Sequence, residues 1–162
     1  MRLEPDATIS FMNYKIIPFE DKYLGQIKDL IGNLLVFTGT LSPTDLPIDD
    51  EDLDTIPETY SGNGGFWLAI LGDRVIGTVG LKEMGDNIAK LKRMFVASDL
   101  HGKGVGEALF NYALNHAKTQ GISKIILNTN EHMIRAHHFY EKHGFKHTGK
   151  TGTQLHYELS LS

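Results

Sequence analysis

The chain has 162 residues with 41% apolar and 22% charged side chains, so one domain can bury a core, and the composition is not that of a disordered chain. It contains no cysteine, which excludes disulfides, thiolate metal sites and a cysteine nucleophile and fits a cytoplasmic location. A net charge of −4 gives no general attraction to nucleic acid, and no apolar run is long enough to cross a membrane, so we predict neither partner.

The first residues differ from the rest of the chain. Residues 1–12 include Glu4 and Asp6 and lack the apolar centre of a secretion signal. We expect a flexible leader there. Residues 13–162 are then expected to form a single domain.

The next segments predict a strand, a helix and a long connection. Tyr14–Phe19 has the composition of a strand, and Pro18 places it at a sheet edge. Apolar side chains at helical spacing predict a helix over residues 21–37. Residues 38–65 are rich in Pro, Gly and Asp, and long connections of this kind are typical of binding loops. Residues 50–59 within it have the pattern of one or two helical turns.

Acidic side chains are concentrated in that connection. Seven of them lie within 14 residues: Asp45, Asp49, Asp50, Glu51, Asp52, Asp54 and Glu58. A solvated loop or short acidic helix is one interpretation. The other is a rim that attracts a positively charged ligand.

The middle of the chain predicts an antiparallel meander. Residues 66–71 and 74–81 are apolar strands joined by a Gly-Asp turn, which is typical of a hairpin. Residues 88–96 form a third strand whose alternation is broken near Arg93. That break predicts a bulge or a splay of the strand.

The last third alternates helices and strands. Helical patterns cover residues 105–120 and 133–143, and short strands are predicted at 124–128, 146–148 and 155–161. Strand, glycine turn, helix and strand in that order form a βαβ unit, whose two strands are expected to be parallel neighbours. The fold class is therefore a mixed α/β sheet, mostly antiparallel, flanked by about four helices.

A glycine-rich turn opens the first of these helices. Glycines at 102, 104 and 106 let the main chain approach a ligand closely, and the free N–H groups of a helix N-terminus suit a phosphate. Lys103 adds a positive charge. A dinucleotide fingerprint would need glycine at Glu107, and a P-loop would need Ser or Thr after its lysine. A tight turn without a ligand is the structural alternative.

Two motifs at a fixed separation stand out in the last third of the chain. His101–Gly106 matches all but the first residue of Q/R-x-x-G-x-G/A, and Ala136, Tyr140, Gly144 and Phe145 match A-x-x-x-Y-x-x-x-G-F. With these motifs the chain resembles the GCN5-related N-acetyltransferase (GNAT) family, in which the first motif binds the cofactor. The strand residues 92–96 are also similar to the strand that faces the cofactor in that family. The resemblance implies the GNAT-like acyl-CoA N-acyltransferase fold, with the parallel splay at the cofactor site.

The resemblance implies acetyl-CoA as cosubstrate, no metal, and a small-molecule or peptide amine as acceptor. Its cofactor-binding positions here are Met94, Phe95, Val96, His101, Gly102, Lys103, Gly104, Val105, Gly106, Glu107, Asn128 and Asn130. His101 replaces the usual Gln or Arg, and Met133 replaces an Asn, whose polar contact Asn128 or Asn130 would supply. A homodimer is possible by analogy.

The implied chemistry is direct attack of an amine on the thioester. Tyr140 is the expected general acid, because a neutral phenol can protonate the departing thiolate. Glu83 or a chain of water molecules is the expected base. The histidines between 132 and 147 lack the spacing of metal ligands on a helix. A non-catalytic acyl-CoA-binding or sensing module on the same fold is one alternative, and a nucleotide-binding regulatory domain is another.

Overall fold

The structure, a computed structural model, describes residues 13–161. Its strands are β1 (Lys15–Pro18), β2 (Gly65–Leu71), β3 (Arg74–Gly85), β4 (Ile88–Val96), β5 (Lys124–Asn130), β6 (Lys146–Thr151) and β7 (Gln154–Ser160). Its α-helices are α1 (Leu24–Phe37), α2 (Glu51–Asp54), α3 (Ile56–Thr59), α4 (Val105–Thr119) and α5 (Ile134–Lys142). The predicted leader, residues 1–12, lies outside the described part of the chain.

The strands form one seven-stranded sheet in the order β1-β2-β3-β4-β5-β7-β6. Neighbouring strands are antiparallel except β4 and β5, which are parallel and are connected in sequence through α4. The predicted mixed, mostly antiparallel sheet and its βαβ unit are confirmed. β3 and β5 extend beyond their predicted ends, because their polar last residues continue to pair with β4 and β7.

Two apolar cores lie on opposite faces of the sheet. Successive side chains of β2 alternate between them: Trp67 and Ala69 join the core under α4 and α5, whereas Phe66 and Leu68 join the core under α1. The α1 core also takes in the short helices α2 and α3. The long connection before β2 is thereby packed against the sheet.

A bulge bends β4 at Arg93. The pairing of β3 with β4 shifts register between Thr78 and Gly80, and Arg93 adopts a φ of 55°. The predicted break in this strand is confirmed. Its effect is to turn the last residues of β4 away from β5.

β4 and β5 separate just before this bulge. Their register pairs are Ile88 with Lys124, Ala89 with Ile125 and Lys90 with Ile126. From residue 91 onward β4 diverges, while β5 stays paired with β7 to its end. The two strands therefore open a gap in the middle of the sheet.

Helix α4 packs against β2, β3 and β4, beside that gap. A Cβ on Gly77 of β3 would stand 2.7 Å from Leu109 Cδ1, so the helix approaches the strand as closely as glycine allows. This contact fixes the position of the glycine turn at the start of α4. Among residues 13–161, no helix is both long and apolar enough to cross a membrane.

Candidate active site

The gap between β4 and β5 widens into a cleft of about 410 Å³. Its walls are the main chain and side chains of residues 90–95 on β4 and 128–130 on β5. Met133, Ala136 and Tyr140 close it on the side of α5. Leu35, Thr40, Leu41, Asp50 and Gln154 complete the lining.

The cleft passes through the sheet. Met133 and Tyr140 belong to the layer of α5, whereas Leu35 and Leu41 belong to the end of α1 and its following loop. Side chains from both layers thus contact one continuous space. Two molecules can meet in it after entering from opposite sides.

Arg93 lies at the centre of an ion-pair network beside the cleft. Its Nε donates to Asp52 Oδ2 at 3.0 Å, and its Nη2 donates to Asp52 Oδ1 at 2.7 Å and to Asp50 Oδ2 at 2.5 Å. Tyr60 donates its hydroxyl to Asp52 Oδ2 at 2.8 Å. The acidic connection is held against the bulge of β4 by these bonds.

Burial and pairing act against each other in this network. Burial disfavours the charge of Arg93, but the hydrogen bonds that Arg93 donates to Asp52 and Asp50 outweigh this effect and raise the pKa of Arg93 above its usual range. Burial also disfavours the Asp52 carboxylate, yet Arg93 and Tyr60 bring the pKa of Asp52 below its usual value. Burial, followed by the charge of Asp52, raises the pKa of Tyr60. Arg93 and Asp52 are therefore ionised at neutral pH, with Tyr60 as a neutral donor.

Tyr140 is buried at the floor of the cleft, with 8% of its surface exposed. Its ring packs edge-on against Phe139 and Phe145, with centroids 5.8 and 5.5 Å apart. Burial raises the pKa of its hydroxyl, so the phenol stays protonated well above neutral pH. The second family motif thus brings a neutral O–H group to the cleft.

The glycine turn forms the predicted strand-to-helix entry. Gly104 precedes α4 with a φ of 87°, no side chain caps the helix, and the first helical bond is Ala108 N–H to Gly104 O. The N–H groups of Val105, Gly106 and Glu107 are consequently free for a ligand. A Cβ on Gly106 would lie 3.6 Å from Met94 Cε, which places the turn next to the cleft wall.

Three predicted cofactor residues, Val96, His101 and Glu107, make contacts within the protein. The ring Nε2 of His101 donates to the Val96 carbonyl at 2.8 Å, and the His101 N–H donates to Ser98 O at 3.4 Å. Glu107 Oε1 accepts from His143 Nε2 at 3.1 Å. The side chain of His101 thus fastens the turn to the end of β4, and that of Glu107 joins α4 to α5.

The two predicted asparagines have different surroundings. We orient the Asn128 amide so that its oxygen accepts from Lys90 Nζ at 3.2 Å and its nitrogen donates to His156 Nδ1 at 2.7 Å, because this satisfies both ends. Asn130 Oδ1 accepts from the His132 N–H at 2.9 Å and supports the turn before α5. Both asparagines line the cleft.

Glu83 lies away from these residues. It is exposed near the end of β3, in register with Ala89, where β4 and β5 are still joined. Its carboxylate contacts the turn at Gly62. The structure brings Tyr140, Met94, Phe95 and the two asparagines to the cleft but not Glu83.

Most of the acidic connection is used in contacts within the chain. Asp45 accepts from the Ser42 N–H at 2.8 Å, Asp54 forms an ion pair with Lys28, and Asp50 and Asp52 bind Arg93. Neither the Arg93 network nor the lysines of the cleft was predicted from sequence. The broken alternation at Arg93 marked the place but not the partners.

Metal ligands are not assembled at the cleft. Within residues 13–161, no three His, Asp or Glu side chains are arranged to hold a metal ion. Instead, His143 stacks on Phe139 with ring centroids 4.2 Å apart, and His137 Nε2 donates to the Asn130 carbonyl at 2.9 Å. These histidines support α5 and the turn before it.

Comparison with known proteins identifies the family. The model of the acetyltransferase (GNAT) family matches residues 36–145, which include β2 to α5 and all the cleft residues except Leu35 and Gln154. The chain belongs to the GNAT family. The resemblance predicted from the two motifs is confirmed.

A curated relative of this GNAT protein is N-acetylaspartate synthetase of Xenopus tropicalis, which is 39% identical over 101 residues. The match covers 60% of this chain and 37% of the frog protein. The chain spans less than half the length of the curated relatives it matches.

Solved structures match nearly the whole chain. A GNAT-family acetyltransferase from Staphylococcus aureus has a TM-score of 0.82 and 26% identity, covering 92% of this chain and 99% of its own. PaiA N-acetyltransferase from Thermoplasma acidophilum, solved in complex with coenzyme A, has a TM-score of 0.81 and 21% identity, covering 92% of this chain and 99% of its own. The fold predicted from sequence is confirmed.

Proposed function

We propose that this GNAT protein transfers an acetyl group from acetyl-CoA directly to an amine. The observation that carries the proposal is the cleft between β4 and β5, in which the diverged strand at Met94 and Phe95 lies in one space with the neutral Tyr140. The glycine turn at the start of α4 lies beside the wall of this cleft, at Met94. A protein of the same fold is solved with coenzyme A, which supports the choice of cosubstrate.

The diphosphate of the cosubstrate would lie at the start of α4. The free N–H groups of Val105, Gly106 and Glu107 and the helix dipole favour an anion there, and Lys103 adds a positive charge. The residues 102 and 104 adopt positive φ without strain because they are glycines.

The pantetheine arm would extend along β4. Met94 and Phe95 line the cleft where β5 has already diverged, so their backbone groups can pair with the arm as a neighbouring strand would. The arm directs the thioester towards Tyr140. A backbone N–H at this point can donate to the carbonyl oxygen and stabilise the oxyanion.

Acetyl transfer moves one acyl group and two protons. The amine nitrogen attacks the thioester carbonyl, the carbon–sulfur bond breaks, and the thiolate leaves with its electron pair. Tyr140 protonates that thiolate, since burial keeps its phenol neutral. The acceptor nitrogen loses its proton to water in the cleft, and a proton from water restores the Tyr140 phenol. Glu83 would take part through water, because its carboxylate contacts Gly62 outside the cleft.

Two measurements test this function. Separate titrations of the protein with acetyl-CoA, ATP and NAD should show that only acetyl-CoA binds. This result separates the proposal from a nucleotide-binding regulatory domain. Thiol release should then be measured with a panel of amines, including aspartate, the amine implied by the frog relative's name. Binding without release from any amine would support the non-catalytic alternative.

A further inference from the structure

Two lysines face the cleft from the same side of β4. Lys90 and Lys92 are both half-buried, and both line the cleft. Ala89 and Leu91 belong to the core under α4 and α5, so the alternating lysines face the layer of α1. This is the side opposite the coenzyme in the proposed function.

The charges of these lysines are not matched by acids. Among residues 13–161, no carboxylate lies within ion-pair distance of Lys90 or Lys92. Asp50 reaches the cleft, but its carboxylate is already bonded to Arg93. The side of the cleft that faces α1 therefore carries excess positive charge.

Like charges are crowded around Lys92. Burial in the cleft lowers the pKa of Lys92; Asp52 opposes this effect, and the charges of Arg93, Lys90 and Lys82 reinforce it. Such crowding is unfavourable in the free protein and is relieved when an anion binds. Lys90 Nζ has a neutral partner, the Asn128 oxygen at 3.2 Å, which positions its charge without cancelling it.

We infer that the acceptor is an amine that also carries a carboxylate, which Lys90 and Lys92 bind at the α1 side of the cleft. This inference rests on the proposed function, since it concerns the second substrate of the same site. Binding the carboxylate on β4 leaves the amine of a short acceptor free to point into the gap, towards the thioester. It also disfavours polyamines, which would place a cation against two lysines.

A matched acceptor series tests the inference. Aspartate carries two carboxylates, alanine carries one and alaninamide carries none. Putrescine carries no carboxylate and has a second ammonium group. We expect kcat/KM to fall in that order. Lys92→Met should lower kcat/KM for aspartate by about 10- to 100-fold, mainly through KM, because a charge-assisted contact is lost. Lys92→Glu should shift the preference towards putrescine.

The control variant is Lys124→Met. Lys124 lies at the start of β5, outside the cleft, and its nearest carboxylate is Glu158 at 3.9 Å. Its removal should leave kcat/KM unchanged for every acceptor. The affinity for coenzyme A should be the same in the native protein and in the Lys90, Lys92 and Lys124 variants. A native preference for alaninamide or putrescine would overturn the inference. So would an aspartate KM that neither Lys90→Met nor Lys92→Met alters.

A binding measurement separates this inference from the proposed function. Aspartate is titrated into the protein saturated with coenzyme A, which forms no product. Saturable binding that Lys92→Met weakens supports the inference. Absence of binding overturns it, while the proposed function still stands if acetyl-CoA binds and another amine releases thiol.

Discussion

Thr78 donates its hydroxyl to the backbone carbonyl of Arg93 at 2.7 Å, across the bulge that opens the sheet. Thr78 is fully buried, with 0% of its surface exposed. The bulge removes the Arg93 carbonyl from the regular ladder, and the threonine side chain replaces the lost partner. A side chain on β3 thus stabilises the conformation that creates the cleft.

Thr78→Val should therefore destabilise the protein and weaken coenzyme binding. The substitution keeps the shape of the side chain but leaves a buried carbonyl without a donor, at a cost of about 1–3 kcal/mol. Chemical denaturation and titration with coenzyme A measure the two effects. Thr119→Val is the matched control, because its exposed hydroxyl bonds Asn115 O at the end of α4. Equal coenzyme affinity in both variants would contradict a role for Thr78 at the bulge.

Tyr140→Phe should lower kcat by about 100-fold, within the range of a lost general acid, and leave coenzyme A affinity unchanged. Tyr157→Phe is its control: that hydroxyl donates to Glu141 at 2.7 Å, and burial, together with Glu141, raises the pKa of Tyr157 to about 12. Loss of the Tyr157 hydroxyl should reduce stability but not kcat. If both variants turn over like the native enzyme, Tyr140 has no part in the reaction.

Gly104→Ala should weaken coenzyme A binding by about tenfold, because a non-glycine residue at positive φ costs about 1–2 kcal/mol. Gly104 has a φ of 87° directly before the free N–H groups of α4. Gly121 has a φ of 78° at the other end of the helix, so Gly121→Ala imposes similar strain away from the turn. Calorimetry should show reduced affinity for the first variant alone. An equal loss in both would mean that strain acts through general stability.

Asp52→Asn should lower the free energy of unfolding by about 2 kcal/mol at neutral pH, because Arg93 loses a charged partner. Because Arg93 and Tyr60 hold the pKa of Asp52 below its usual value, its ionised form stabilises the fold above the unfolded pKa of about 4. That stabilisation is lost as the pH falls through the lower folded pKa. The difference between native and variant protein should therefore shrink on acidification.

Asp99→Asn is the control for that pH series. Asp99 also forms an ion pair, with Arg74 at 2.8 Å, but both side chains are largely exposed. Solvent screens such a pair, so Asp99→Asn should lower the free energy of unfolding by less than Asp52→Asn does. Unfolding curves for the three proteins at neutral and acidic pH provide the comparison. A native–Asp52→Asn difference independent of pH would be inconsistent with the ion pair as its cause.

The local features of this chain were predictable because their causes lie close together in sequence. The glycines at 102 and 104 mark the turn before α4, and the broken alternation of β4 marks the bulge at Arg93. These signals come from backbone sterics and strand periodicity, which act over a few residues. The order of β4, α4 and β5 follows from the same reasoning.

Long-range partners were not predictable in this way. Arg93 binds Asp50 and Asp52, which lie 43 and 41 residues earlier, and no local pattern pairs these side chains. The acidic connection was therefore open to interpretation as a rim for a cation. Similarly, Lys90 and Lys92 look like solvent-exposed alternate residues of a strand until the divergence of β5 places them in a cleft.

The separation of β4 from β5 also has a mechanical consequence. Three register pairs connect the strands before they part, so the sheet is two smaller sheets meeting along a short seam. Helix α4 contacts β2, β3 and β4 on one side of that seam, and α5 follows β5 on the other. The width of the cleft is thus set by the angle at which these two smaller sheets pack together. Packing far from Tyr140 therefore controls the distance between the reacting groups.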